Sequence, residues 1–172
     1  MADIKKTKLP RKYTLWYTSA TEKANYEEKL KQIAVFETVE DFWAVYQHLK
    51  RPDQIPNDSD YNLFVDEIKP MWEDENNKRG GKWIMRLKKG YSSKFWEDLV
   101  LAFIGHKLDD EEDVVGLIVS CKDTYDTISI WNRKSDNVES IERTKDRIKT
   151  VLCLPKKTEI EYKQHPQYIQ KK

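Results

Sequence analysis

Glycine, histidine and cysteine are scarce in this sequence, and neither sign of charge is in surplus. Among 172 residues there are 5 Gly, 3 His and 2 Cys. Cys121 and Cys153 are too few for a disulfide framework or a thiolate metal site. His48, His106 and His165 are scattered, with no cysteine or carboxylate at ligand spacing. Each is expected at a surface or helix end rather than on a metal. There is no phosphate-cradling glycine loop, no nucleophile elbow and no paired-histidine zinc motif. Enzyme classes that need those parts are unsupported, and no cofactor is expected. The 31 Lys+Arg nearly cancel the 30 Asp+Glu. A net charge of +1 argues against a protein that coats nucleic-acid backbone indiscriminately, because such binding needs surplus positive charge. It leaves room for a locally basic site. No apolar stretch approaches a membrane span, and no signal pattern opens the chain. A soluble monomer of a reducing compartment, cytoplasmic and also compatible with the nucleus, is expected.

Large aromatics, by contrast, are plentiful, with 6 Trp and 9 Tyr. Such rings are costly to leave in water, so most belong to a core. The informative ones are those that do not.

The length suits one domain. Residues 1–12, with five basic residues and one acid, read as a mobile basic arm before a single domain over 13–172. Strands are expected at Tyr13–Thr18, Gln32–Glu37, Leu63–Val65, Lys82–Lys88, Val114–Lys122, Thr127–Trp131 and Glu159–Tyr162, from alternation and β-prone composition. Thr38, with Asp41 three residues on, opens a helix running to about Leu49. A second helix is expected from about Ser93 to Gly105. A third runs from about Asn137 to Leu152, with Val138, Ile141, Ile148 and Val151 on one face. Short connections between strands predict an α+β fold, an antiparallel sheet with three helices on one face.

Trp72 stands in a polar, turn-rich stretch, Pro70–Gly81. One reading is a ring folded back onto the core. The other starts from its surroundings: Glu73 follows directly, and Lys78, Arg79, Lys82, Arg86, Lys88 and Lys89 come next. A ring that stacks, a carboxylate that accepts base N–H donors and cations for phosphate are the parts of a nucleotide site.

The segments Thr38-Val39-Glu40-Asp41-Phe42-Trp43-Ala44-Val45-Tyr46, Ile68 to Trp83 (IKPMWEDENNKRGGKW) and Ile128-Ser129-Ile130-Trp131 resemble the cap-binding translation initiation factor 4E family. The resemblance runs from about Tyr13 to the C-terminus. It implies a single curved antiparallel sheet with three helices on its convex face and a concave site for the 7-methylguanosine cap of mRNA. N7 methylation makes the base cationic, so two facing rings gain cation–π energy on top of stacking, each on the order of 1–2 kcal/mol. By resemblance Trp72 is one sandwich ring, Glu73 accepts the guanine N1 and N2 protons, and Trp131 touches the N7-methyl group. Tyr26 stands where general initiation factors carry the second sandwich tryptophan. This departure resembles the 4E-homologous class, associated mainly with translational repression, and implies weaker cap binding. Lys82 and Lys122 match phosphate positions. Thr127 stands where a lysine is usual, leaving Arg133 or Lys171 as candidates to compensate.

The same resemblance assigns Val39, Trp43, Asp98 and Leu101 to a convex groove for partner proteins carrying a Tyr-x-x-x-x-Leu-apolar helix. On pattern alone Trp43 reads equally as core. The function expected is a cap-binding translational repressor that competes with the initiation complex. The alternative is a general cap-binding initiation factor that recruits a scaffold protein. A partner-binding module that has lost the cap, and a cap hydrolase, are disfavoured by the joint presence of Trp72, Glu73 and Trp131 and by the missing catalytic cluster.

Overall fold

The computed structural model describes residues 5–19 and 24–166. Its elements are β1 (Lys8–Thr18), α1 (Tyr26–Lys29), β2 (Lys31–Thr38), α2 (Val39–Tyr46), β3 (Ser59–Val65), β4 (Gly81–Lys88), α3 (Ser92–Ile104), β5 (Val114–Cys121), β6 (Tyr125–Asn132), α4 (Val138–Val151) and β7 (Glu161–Gln164). A single 3-10 turn, Pro52–Gln54, follows α2.

The strands form one antiparallel sheet in the order β2-β1-β3-β5-β6-β4-β7. Side chains alternate across it. Tyr13, Leu15, Leu63, Trp83, Leu117 and Ile130 point to the helices, where Phe42, Trp96, Leu99, Phe103, Ile141 and Ile148 meet them in the main core. The opposite, concave face has a smaller apolar cluster built on Phe64, Ile68, Val115, Ile118 and Trp131, with Trp72 packed against it. Register shifts interrupt β1–β2 after Lys8 and Leu15, and β5–β6 after Val114. Extra residues of this kind bend a strand and raise its twist, which curves the sheet.

Two expectations need correction. The basic arm does not extend to residue 12, because β1 begins at Lys8. Thr7 N–H donates to Glu40 and its carbonyl accepts from Val39. Arg11 donates to the Val114 carbonyl and lies over the Tyr13 and Phe103 rings. Paired backbone and a stacked guanidinium hold this stretch in the sheet. Val138 is not on the buried face of α4: it is 70% exposed, and Ser140, Ile141, Thr144 and Ile148 face the core instead.

The helix starts follow local chemistry. Thr38 accepts from the Asp41 N–H, and Asn137 from the Ser140 N–H. Each satisfies a donor that the first turn leaves without a partner. α3 ends at Gly105, and the left-handed residue that reverses the chain is His106, at φ 56°.

Candidate functional site

The concave face carries a cleft of about 370 Å³ lined by Tyr26, Asp60, Pro70, Met71, Trp72, Glu73, Lys82, Ile118, Ser120, Ser129 and Trp131. Each wall has a local cause. Trp72 and Glu73 sit on a loop stapled from inside. The fully buried Asn77 donates its side-chain amide to the carbonyls of Lys69 and Met71. The Asp74 carboxylate accepts from the backbone N–H groups of Lys69 and Asn76. These bonds close an otherwise irregular loop and leave Trp72 half-buried and Glu73 exposed at the mouth. A loop tied by its own polar side chains holds its shape without a core of its own.

Tyr26 opens α1, a single helical turn fixed by a capping box between Asn25 and Glu28. The ring is 42% exposed. Burial, followed by the Asp60 and Glu73 carboxylates, raises the Tyr26 hydroxyl above its ordinary value and keeps it neutral. Across the loops, Lys69 donates to Glu27 at 2.5 Å, which joins the Tyr26 turn to the Trp72 loop.

Trp131 forms the floor. Its ring meets Phe64 edge-on at 5.6 Å and lies 4.2 Å from the His165 ring. Gly116 lies beside Phe64 in the sheet register and next to Trp131 on β6. A Cβ there would stand 2.3 Å from the Phe64 ring. Glycine thus lets the Phe64 ring lie over the backbone at 116 and reach Trp131 edge-on. Lys82 Nζ sits 5.5 Å from the Trp131 centroid. Burial, then the neighbouring Lys163, lowers its pKa below the usual lysine range.

The structure thus brings Tyr26, Trp72, Glu73, Lys82 and Trp131 to one cleft. It does not bring the other phosphate candidates there. Lys122 Nζ is ion-paired to Asp58 at 2.9 Å and lines none of the cleft. Arg133 donates to Asn76 at 2.7 Å in a separate depression on the other side of Trp72. Lys171 lies outside the described residues.

His165, expected at a surface, is 4% exposed and packs on Trp131. Its backbone N–H donates to the Gly80 carbonyl, extending the β4–β7 pairing. Burial, then Lys82, lowers its pKa to about 4. Sequence reasoning also passed over Asp60, Ser120 and Ser129. Their only signal is an alternate position on a strand, which becomes informative once the register is known.

The partner-surface candidates sit on α2 and α3. Trp43 is 41% exposed on α2, its ring edge-on to Phe42 at 5.0 Å and to Tyr46 at 5.8 Å. Leu101 is exposed on α3, Val39 is half-buried, and Asp98 is paired with Lys94 at 2.7 Å. Trp43 is therefore a surface ring rather than core.

Comparison with known proteins agrees over nearly the whole chain. Residues 8–172 match the family model for eukaryotic initiation factor 4E. The chain is 44% identical over 160 residues to eukaryotic translation initiation factor NCBP of Triticum aestivum, covering 91% of this chain and 69% of that protein. It is 37% identical over 162 residues to human eukaryotic translation initiation factor 4E, covering 91% and 75%. Its structure resembles that of Ascaris suum eIF4E-3 with m7G cap (TM-score 0.88, 35% identity, 97% and 96% covered). It also resembles Caenorhabditis elegans eIF4E-3 in complex with the 4E-binding protein Mextli and a cap analog (TM-score 0.89, 32% identity, 94% of both chains). Fold and sequence agree, and the chain belongs to the eukaryotic initiation factor 4E family.

Proposed function

We propose that the protein binds the 7-methylguanosine cap of mRNA in the Tyr26–Trp72 cleft and regulates translation as a repressor. The observation that carries the ligand is the convergence of Tyr26, Trp72, Glu73 and Trp131 on one concave cleft. Two rings offer π-faces to a cationic base, and the exposed Glu73 carboxylate is free to accept the guanine N–H donors. Lys82, desolvated beside Trp131, is the cation at hand for the phosphates.

The repressor reading rests on a thin set of phosphate contacts and a smaller ring. Lys122 is engaged by Asp58, and Tyr26 stands where a tryptophan would give a larger face. A weak cap grip suits a protein that displaces the initiation complex when a partner holds it on its target. The Trp43–Leu101 surface is the docking site for that partner, a helix carrying Tyr-x-x-x-x-Leu-apolar. The chain acts as a monomer in the cytoplasm.

The test is retention on a 7-methylguanosine resin, followed by elution with free cap analogue or with GTP. Cap analogue should elute the protein and GTP should not. Glu73→Ala should weaken retention at least about tenfold, since guanine donors left unpaired cost about 1–3 kcal/mol. Equal elution by GTP would reject the cap reading. Initiation supported in a cap-dependent extract depleted of its own factor would reject the repressor reading.

A further inference from the structure

Farther along β4 from Lys82, which lines the concave cleft, β7 leaves the strand half-covered. The two strands pair only from Gly81↔Gln164 to Ile84↔Glu161, while β4 continues to Lys88. The Gly80 carbonyl accepts from His165 on this side. In an antiparallel ladder, peptide groups alternate in direction, so those of Lys82, Ile84 and Arg86 face the same way. Arg86 would next pair with Glu159, but the chain before Glu161 has left the ladder. Among the described residues no strand covers the Arg86 edge.

A cleft of about 830 Å³ opens where the two strands part. Half-buried Leu87, Phe95 and Leu154 give it an apolar lining. Its cations are Arg86, Lys145, Lys149 and Lys157, against two carboxylates, Glu159 and Glu161. Glu161 is already held by Lys163 at 3.2 Å. Lys145, half-buried, pairs with the exposed Glu142 at 2.7 Å, and Lys149 donates to the Lys156 carbonyl at 2.8 Å. Cations on an edge strand also discourage edge-to-edge pairing between copies of the chain. That defence does not repel an anionic strand.

We propose that this cleft docks an extended acidic segment of a partner protein, added as a strand along Arg86 in line with β7. Main-chain bonds to Arg86 supply the register. Apolar side chains at alternate positions reach Leu87, Phe95 and Leu154. Carboxylates between them point to the opposite face, toward Arg86, and the surrounding Lys145, Lys149 and Lys157 add longer-range attraction. The surface is independent of the cap reading.

The experiment titrates the full chain with a synthetic peptide of alternating residues, acetyl-EVEIEVE-amide, followed by amide exchange and NMR. Binding should slow exchange of the Arg86 amide at least about tenfold. The charge-reversed peptide KVKIKVK should not bind. Lys145→Glu combined with Lys149→Glu should weaken binding at least about tenfold, with Lys157→Glu as a separate variant outside the helix. Unchanged far-UV circular dichroism and cap-resin retention would show that the variants fold. Binding without protection of Arg86 would reduce the site to charge attraction and overturn the proposal. So would displacement of the peptide by cap analogue, or preferential occupancy by a uridine oligonucleotide. Concentration-dependent dimerisation through the same edge, with no peptide binding, would also overturn it.

Discussion

Lys69 donates to Glu27 at 2.5 Å, and this one ion pair joins the Tyr26 turn to the Trp72 loop. Glu27 follows Tyr26 on the α1 turn, and Lys69 lies three residues before Trp72. Tyr26 and Trp72 therefore sit on segments tied to each other and not only to the sheet. Both partners are solvent-exposed, so the tie orients more than it stabilises. Lys69→Ala should leave the melting temperature unchanged. It should weaken binding of a cap analogue by less than about threefold at low salt, with the difference vanishing at high salt. Isothermal titration at two ionic strengths measures both.

The smaller ring can be tested in place. Tyr26 is 42% exposed at the start of α1, with room outward rather than a core to collide with. Tyr26→Trp extends the stacking overlap and the cation–π face and removes a hydroxyl that sits near Asp60 and Glu73. Cap affinity should rise roughly threefold to tenfold, from about 1 kcal/mol of added ring contact. Fluorescence titration at fixed salt provides the comparison. Unchanged or weaker binding would show that Tyr26 is not the facing ring.

Gly116 supports the floor of the cleft without touching it. A methyl group there would meet the Phe64 ring at 2.3 Å, and Phe64 in turn meets Trp131. Gly116→Ala should destabilise the fold by about 1–3 kcal/mol, the usual cost of overpacking. It should also weaken cap binding by tilting Trp131, although no ligand contact is altered. Urea unfolding and cap titration on the same preparation separate the two effects. A variant that loses stability but binds normally would show that the floor is insensitive to Phe64.

His165 gives the fold a pH dependence of definite sign. Its folded pKa lies near 4, below the ordinary value of 6.5, because burial and Lys82 disfavour the charged ring. Between those values the unfolded chain binds more protons than the folded one, so stability rises with pH. The contribution is complete above about pH 6.5 and is lost progressively as pH falls toward 4. His165→Phe should flatten that part of the stability profile and keep the ring against Trp131. Urea midpoints from pH 4 to 8 give the reading.

The sheet and its three long helices were legible because they rest on repeating patterns. The expected strands and helices all recur in the structure with boundaries shifted by a few residues, and the caps at Thr38 and Asn137 stand where side-chain chemistry needs them. Elements too short for a pattern were not legible. The α1 turn has four residues and only a capping box to mark it, so it read as loop. Lys8–Lys12 read as an arm because charge was weighed above the backbone pairing that only the folded sheet supplies. In the site, Trp72 and Glu73 stood out as a ring and an acid in a polar loop. Lys122 matches a phosphate position by resemblance, and its ion pair with Asp58, 64 residues away in sequence, is visible only in the fold. His165 had no neighbours to identify it until β7 placed it on Trp131.

α2, α3 and α4 lie on the face of the sheet opposite the concave cleft, so the two proposed sites can be separated by mutation. Trp43 packs on Phe42 and Tyr46, and neither residue lines the cleft. Because Trp43 is 41% exposed, Trp43→Ala should cost about 1 kcal/mol of stability or less. It should abolish binding of a Tyr-x-x-x-x-Leu-apolar peptide, since truncating a central aromatic anchor costs about 2 kcal/mol or more. Cap affinity should hardly change, because sites that share no contacts act additively. Trp72→Ala should do the reverse, losing the cap and keeping the peptide. A tethered reporter extends the test to function. Brought to an mRNA by an unrelated RNA-binding domain, a protein that represses through a partner on α2 needs no cap contact of its own. Trp43→Ala should then relieve repression and Trp72→Ala should not. If Trp72→Ala alone relieved repression under tethering, the cap would be needed for the inhibitory step itself, and the partner surface on α2 would not be the effector.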